Sequence, residues 1–191
     1  GLFVDGIGHL KPLTILGVTG SIGRQTLDVA ESLKIPVEAI AANRGSDNLL
    51  LAARRHPDAR VVVVGPTDDE RERCFAALGA RVTFGREALL EMAGQSERVV
   101  VNGIVGAAGL APTVAALDAG NRVALANKES LVAGGPVVVA AAAASDGEII
   151  PVDSEHSALW QCLVGERAET VRRLILTASG GPFRGRTRTD L

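Results

Sequence analysis

The chain has 191 residues, 47% of them apolar, enough to bury one substantial core or a core with a small second lobe. Twenty Lys and Arg against twenty-two Asp and Glu leave a formal charge of −2, with no long basic stripe, so no nucleic-acid partner is expected. Cys74 and Cys162 lie far apart in apolar, helix-like stretches that suit neither a disulfide framework nor a zinc site, which points to a reducing compartment.

Gly1 to Pro12 lacks a basic flank followed by a long apolar stretch, so it reads as the lead-in to a strand and not as a secretory signal. The chain opens on Gly1 and its only methionine is Met92, so loss of an initiator or excision from something longer is expected. Leu13-Thr14-Ile15-Leu16 has a buried-strand pattern and runs into Gly17-Val18-Thr19-Gly20-Ser21-Ile22-Gly23, then into amphipathic Arg24 to Leu33. Glycines between strand and helix let the backbone turn tightly and approach a pyrophosphate, while unbonded N–H groups at the helix start favour the anion. The competing reading is a turn and nothing more; the strand before and the helix after favour a nucleotide.

The second strand, Val37–Ala42, ends in Asn43-Arg44-Gly45. An acidic residue there would bond the ribose 2′-hydroxyl of NAD; its absence, with Arg44 offering a forked cation to a 2′-phosphate, predicts NADPH. The alternative for Arg44 is a solvated surface charge. After strands Val61–Val64 and Val99–Val101 comes a small-residue loop, Asn102 to Gly109, which either lines the ligand edge of the sheet or serves close helix packing. Strand Val123–Ala126 ends in Asn127-Lys128-Glu129-Ser130. Lys128 is placed there to hold a substrate or cofactor oxygen and Glu129 to orient it, or the segment is an ordinary helix start capped by Asn127.

Leu131 to Ala144 is shorter than a membrane span and is broken by Gly134, Gly135 and Pro136, so no membrane segment is expected. Its Ala140–Ala144 end reads as a packing helix stopping at Ser145-Asp146-Gly147. Strand Ile149–Val152 leads to Asp153-Ser154-Glu155-His156. In an extended chain both carboxylates face one side, which suits a hard cation, Mg²⁺ or Mn²⁺. Otherwise Asp153 caps a helix over Ser157–Val164, on which Trp160 and Leu163 pack into a core. His156 stands alone and reads as a solvated or supporting imidazole. Last, strand Leu174–Leu176 enters Thr177-Ala178-Ser179-Gly180-Gly181-Pro182-Phe183, either a phosphate cradle or a plain turn. Short β-branched runs alternating with helical stretches predict an α/β fold: a doubly wound, mostly parallel sheet of Rossmann type. It is expected to bind NADPH over residues 1–149, with 150–191 beginning a second α/β catalytic domain.

Four segments together, Gly17–Gly23, Leu125–Val132, Pro151–His156 and Leu176–Phe183, resemble successive signatures of the 1-deoxy-D-xylulose 5-phosphate reductoisomerase family. The resemblance runs from Leu13 to the end and spans roughly the first half of the family's length. It implies isomerisation of that sugar phosphate, followed by hydride transfer from NADPH to give 2-C-methyl-D-erythritol 4-phosphate in non-mevalonate isoprenoid synthesis. It also implies a homodimer of the bacterial cytoplasm, or of the plastid in a plant-type source. Carried over by motif, Thr19, Gly20, Ser21 and Ile22 contact NADPH, Asn43 and Arg44 flank its adenosine phosphate, and Asn127 and Glu129 complete the cofactor site. Lys128, Ser154, Glu155 and Ser179 hold substrate; Asp153 and Glu155 ligate Mn²⁺ or Mg²⁺, or Co²⁺; and Lys128, Asp153 and Glu155 are the catalytic set. Val18 stands where the family commonly has serine, and Asn43-Arg44-Gly45 where it has Gly-Lys-Asn. The family's third carboxylate ligand and phosphate clamp are expected beyond Leu191, so this chain by itself is expected to bind cofactor and turn over poorly. Two other readings compete: an NADP-dependent dehydrogenase of homoserine or aspartate-semialdehyde type, and a non-catalytic NADPH-sensing module. The Asp-Ser-Glu strand end disfavours the first.

Overall fold

A computed structural model describes residues 11–177 and 184–190. The β-branched runs form strands β1 (Leu13–Leu16), β2 (Val37–Ala42), β3 (Arg60–Val63), β4 (Val82–Phe84), β5 (Val99–Asn102), β6 (Arg122–Leu125) and β7 (Glu148–Pro151). Helices α1 (Ser21–Leu33), α2 (Asp47–Arg55), α3 (Asp68–Leu78), α4 (Arg86–Ala93), α5 (Leu110–Asp118) and α6 (Lys128–Ala144) alternate with them, and α7 (Ser154–Leu163) follows β7. The strands lie in the order β4-β3-β2-β1-β5-β6-β7. The pairs β1–β2, β1–β5, β2–β3, β3–β4 and β5–β6 are parallel. This is the doubly wound α/β sheet that the strand-helix alternation predicts.

Consecutive apolar residues in one strand serve opposite cores, because side chains alternate across a sheet. Val61 and Val63 of β3 join Ile15, Leu27, Ile40, Leu49 and Val99 on one face, and Val62 joins Leu16, Ala41, Leu89, Val100, Leu117 and Val138 on the other. Fully burying each of the Val, Leu and Ile side chains among them contributes about 1.5–3 kcal/mol. Helices follow the same logic at their own period. Gly23, Leu27 and Ala30 form the buried stripe of α1, and left-handed Lys34 (φ 55°) closes its end with its N–H on the Ala30 and Glu31 carbonyls. α6 is interrupted at Gly134 (φ −136°, ψ 24°), two residues before Pro136, and ends at Ser145 where the sequence predicts its stop. The Ser145 hydroxyl lies 2.7 Å from the Leu117 carbonyl oxygen and 2.9 Å from that of Ala141.

Packing divides the chain into two units, Gly1–Ile150 and Pro151–Leu191. In the second, three expectations are corrected. The helix begins at Ser154, three residues before the expected Ser157, because Asp153 caps it by accepting the His156 N–H at 3.0 Å. Trp160 is half-buried and Leu163 exposed, and α7 buries no residue among those described. Leu174–Leu176 is irregular and not a strand: all three side chains are more than half exposed, and the segment pairs with no strand among the described residues. In the first unit β4 is an element that sequence reading passed over.

Both cysteines are free, Cys74 buried and Cys162 exposed, and desolvation pushes the Cys74 thiol up from its ordinary range. A thiol reagent is therefore expected to modify Cys162 promptly in the folded chain and Cys74 only on unfolding. Rapid modification of both would show that α3 does not pack Cys74 into the core.

Candidate functional site

Strand order reverses between β1 and β5, since the chain winds one way through β2, β3 and β4 and the other way through β6 and β7. The loops after β1 and β5 therefore diverge and leave a crevice at the carboxyl edge of the sheet, the place where open α/β sheets bind ligands. A cleft of about 520 Å³ lies there. Thr19 and Gly20 form one wall and Gly103, Ile104, Val105 and Ala108 another. Ala42, Asn43 and Val64 from the ends of β2 and β3, and Arg86, Leu89 and Leu90 from α4, complete it.

The glycine turn is built by backbone contact. Gly17 has φ +81°, and a Cβ on it would lie 2.9 Å from the Gly103 carbonyl carbon, so the two loops meet main chain to main chain. A Cβ at Gly23 would lie 2.5 Å from Val18 Cα, which is how closely the first turn of α1 is seated on the strand exit. Gly20 is the N-cap of α1 without a side-chain cap, and the first turn carries no acid, leaving its amide dipoles facing Thr19 and Gly20 at the cleft wall. Ser21 and Ile22 occupy that first turn. Val18 takes no part in the wall: it is buried in the core against the α1 side of the sheet.

Beyond β2 the predicted pair separates. Asn43 lines the cleft, whereas Arg44 turns toward α3, its Nε 3.0 Å from Glu70 Oε2. Glu70 belongs to a capping box in which Thr67 and Glu70 bond each other's backbone N–H groups. The Thr67 N–H, and after it Arg44, hold the Glu70 carboxyl below the usual carboxylate range, so the partner of Arg44 is an anion at neutral pH. Arg86, Leu89, Leu90 and Pro112 are cleft residues that sequence reading missed. The available signal was the β-prone triplet Val82-Thr83-Phe84 followed by Gly85, a strand and turn that deliver Arg86 to the same edge.

Two buried amides fix the far wall. Asn102 Nδ2 donates to the Gly109 carbonyl at 2.9 Å and to Thr113 Oγ1 at 2.8 Å, and its Oδ1 accepts the Ile104 N–H at 3.1 Å. Asn127 Nδ2 donates to the Ile104 carbonyl and, at 2.7 Å, to that of Gly106, while its Oδ1 caps α6 by accepting the Ser130 N–H at 3.1 Å. The helix-cap reading of Asn127 holds, and the cap is also the clamp on the cleft loop, though Asn127 is not among the described residues that line the cleft. Lys128 and Glu129 sit exposed in the first turn of α6.

The second unit carries the carboxylates. Asp153 is half-buried and Glu155 exposed in the first turn of α7, so the extended alternation expected for them is replaced by a helix turn. Asp153 Oδ1 lies 2.5 Å from His156 Nδ1, and Ser154 Oγ donates to Glu155 Oε2 at 2.8 Å. His156 is thereby a neighbour of Asp153. Carboxylate oxygens are hard donors of the kind that Mg²⁺ or Mn²⁺ takes. Among the described residues no group of three or more His, Cys, Asp or Glu side chains comes together to hold a cation. No helix among them is long and apolar enough to cross a membrane. Ser179 lies outside the described residues.

Comparison with known proteins agrees with this architecture. The family model for 1-deoxy-D-xylulose 5-phosphate reductoisomerase matches residues 13–135, and that for the C-terminal domain of the same enzyme matches residues 149–191. A relative of that name from Arthrobacter sp. (strain FB24) is 47% identical over 95% of this chain and 48% of its own length. One from Nocardia farcinica is 49% identical over 96% of this chain and 45% of its own. Among solved structures, the Zymomonas mobilis reductoisomerase in complex with NADPH superimposes with a TM-score of 0.81 at 40% identity, covering 93% of this chain and 48% of that one. A DOX-P reductoisomerase in complex with NADPH, fosmidomycin and magnesium gives 0.77 at 34%, covering 93% and 47%. The chain spans about half the length of the relatives that it matches. With a glycine turn open on the switch-point cleft and both family models matching in order, the chain belongs to the 1-deoxy-D-xylulose 5-phosphate reductoisomerase family.

Proposed function

We propose that this chain supplies the cofactor cleft and the first metal ligands of an NADPH-dependent and divalent-metal-dependent enzyme that isomerises and reduces 1-deoxy-D-xylulose 5-phosphate to 2-C-methyl-D-erythritol 4-phosphate. The observation that carries the reading is the cleft at the strand-order reversal, where the Gly17–Gly23 turn presents the start of α1 beside Asn43. The relatives solved with NADPH and with magnesium support the choice of cofactor and cation. On this reading residues 1–149 form the dinucleotide-binding domain and residues 150–191 begin the catalytic one.

Thr19, Gly20, Ser21 and Ile22 hold the pyrophosphate, because backbone N–H groups and a helix start favour an anion that no acidic side chain repels. Asn43 and Arg44 stand on the adenosine side, Asn127 and Glu129 toward the other end. Lys128, Ser154, Glu155 and Ser179 hold the sugar phosphate, Lys128 as a cation on a substrate oxygen. Asp153 and Glu155 would hold Mg²⁺ or Mn²⁺, or Co²⁺ in their place. When bound, such a cation supplies Lewis acidity toward the substrate's carbonyl and hydroxyl oxygens. The bacterial relatives favour a cytoplasmic protein, and we read the full-length enzyme as a homodimer.

The test is to titrate the purified chain with NADPH and with NADH, following cofactor fluorescence with and without Mn²⁺. Tighter binding of NADPH is the expected result. Binding of neither dinucleotide, or a preference for NADH, would overturn the assignment of the cleft.

A further inference from the structure

Arg86 is the only charged residue among those described as lining the cleft. Its position follows from a ladder of backbone bonds across the carboxyl ends of three strands. Gly85 N–H donates to the Val63 carbonyl at 2.9 Å, Val64 N–H to that of Ala42 at 3.0 Å, and Gly65 N–H to that of Asn43 at 2.8 Å. The turn that begins α4 is therefore tied to the end of β3, one strand away from the end of β2, where the ribose 2′-substituent of a dinucleotide is read in this kind of sheet, and Arg86 lines the same cleft as Asn43. Gly85 has φ +99°, a conformation that suits glycine and sends the chain directly from β4 into α4, with Arg86 at the first helical position.

Charge sharpens the contrast with Arg44. The Arg44 Nε is within 3.3 Å of both Glu70 oxygens, so its charge is already balanced by an anion, and it does not line the cleft among the described residues. Arg86 is exposed, makes no hydrogen bond or ion pair with a described residue, and has Glu87 as its nearest acid along the helix. A guanidinium with five donors and no ion pair among the described residues can offer them to a phosphate at this edge of the site.

We propose that Arg86 binds the 2′-phosphate of NADPH and is the residue of this chain that discriminates it from NADH. The proposal rests on the NADPH reading of the cleft and adds the residue that enforces it. Arg86 is on the surface and at a helix start, so Arg86→Gln preserves the fold; thermal melting checks this.

The experiment is to titrate the unaltered chain, Arg86→Gln, Arg86→Lys and Arg44→Gln with NADPH and NADH by fluorescence, and with adenosine 2′,5′-bisphosphate and 5′-AMP by calorimetry. Arg86→Gln is expected to weaken NADPH and adenosine 2′,5′-bisphosphate about tenfold or more while leaving NADH and 5′-AMP unchanged, with Arg86→Lys intermediate and Arg44→Gln losing less. Equal weakening of all four ligands would place Arg86 on the base and not on the phosphate, and overturn the assignment. So would discrimination that survives in Arg86→Gln and disappears in Arg44→Gln. If the unaltered chain binds none of the four, the cofactor reading itself falls and this proposal with it, an outcome distinguishable from failure of the Arg86 assignment alone.

Discussion

Gly23→Ala is expected to abolish detectable dinucleotide binding and to lower the unfolding free energy by about 1–3 kcal/mol, the usual cost of overpacking a filled site. The added methyl would lie 2.5 Å from Val18 Cα and 2.7 Å from the Val18 carbonyl carbon. Both atoms are main chain, and Val18 is itself held by its N–H on the Ala41 carbonyl at 2.9 Å, so nothing nearby can swing aside as a side chain would. The helix start must instead lift off the strand exit, which moves the amides at the cleft wall on which the proposed pyrophosphate site depends. Gly135→Ala is the matched control, because a Cβ there meets nothing within 4 Å and the change should stay within about 0.5 kcal/mol of neutral. Urea melts and NADPH titrations of the two variants separate the effects. Native stability and native affinity in Gly23→Ala would show that α1 is not packed on β1 as described.

Asn127→Ala is expected to cost about 1–3 kcal/mol, because truncation strands the buried Ser130 N–H and the partly buried carbonyls of Ile104 and Gly106. Asn102→Ala should cost a similar amount through Ile104, Gly109 and Thr113. The two amides hold the same loop, Asn102 from the end of β5 and Asn127 from the end of β6. The losses should therefore not add in the double variant, with a coupling of about 0.5–3 kcal/mol. Cofactor affinity reports the same coupling, since Ile104 and Val105 are cleft wall. Strict additivity in a double-mutant cycle would mean that each amide acts on its own and that the loop is fixed by something else.

Much of the architecture was legible in local pattern. Leu13–Leu16, Val37–Ala42 and Val99–Asn102 are strands because runs of apolar and β-branched residues suit a sheet covered on both faces, and the Gly17–Gly23 turn is a turn because its geometry is dictated by residues adjacent in the chain. The end of α6 at Ser145 and the cap at Asn127 were readable for the same reason: capping is decided within three or four residues.

What failed to be legible depended on partners distant in sequence. Val82–Phe84 is too short to announce itself and becomes β4 only through β3, while Leu174–Leu176 has the better strand pattern and remains irregular, because backbone hydrogen bonds across strands, and not propensity, make a strand. Asp153 is the local exception: the cap that the sequence offered beside the extended pair forms, and its bond to the His156 N–H starts the helix at Ser154. Arg44 and Arg86 show the same division at the site. Sequence position after β2 singled out Arg44, but Glu70, 26 residues further on, engages its guanidinium, while the ladder from β4 to β2 brings Arg86 to the cleft. The sequence by itself determined the α/β class, the glycine turn and the helix caps, since neighbouring residues set backbone conformation. Tertiary structure alone decided which strands pair and which charged side chains reach the cleft, since both follow from contacts that close only when the sheet assembles.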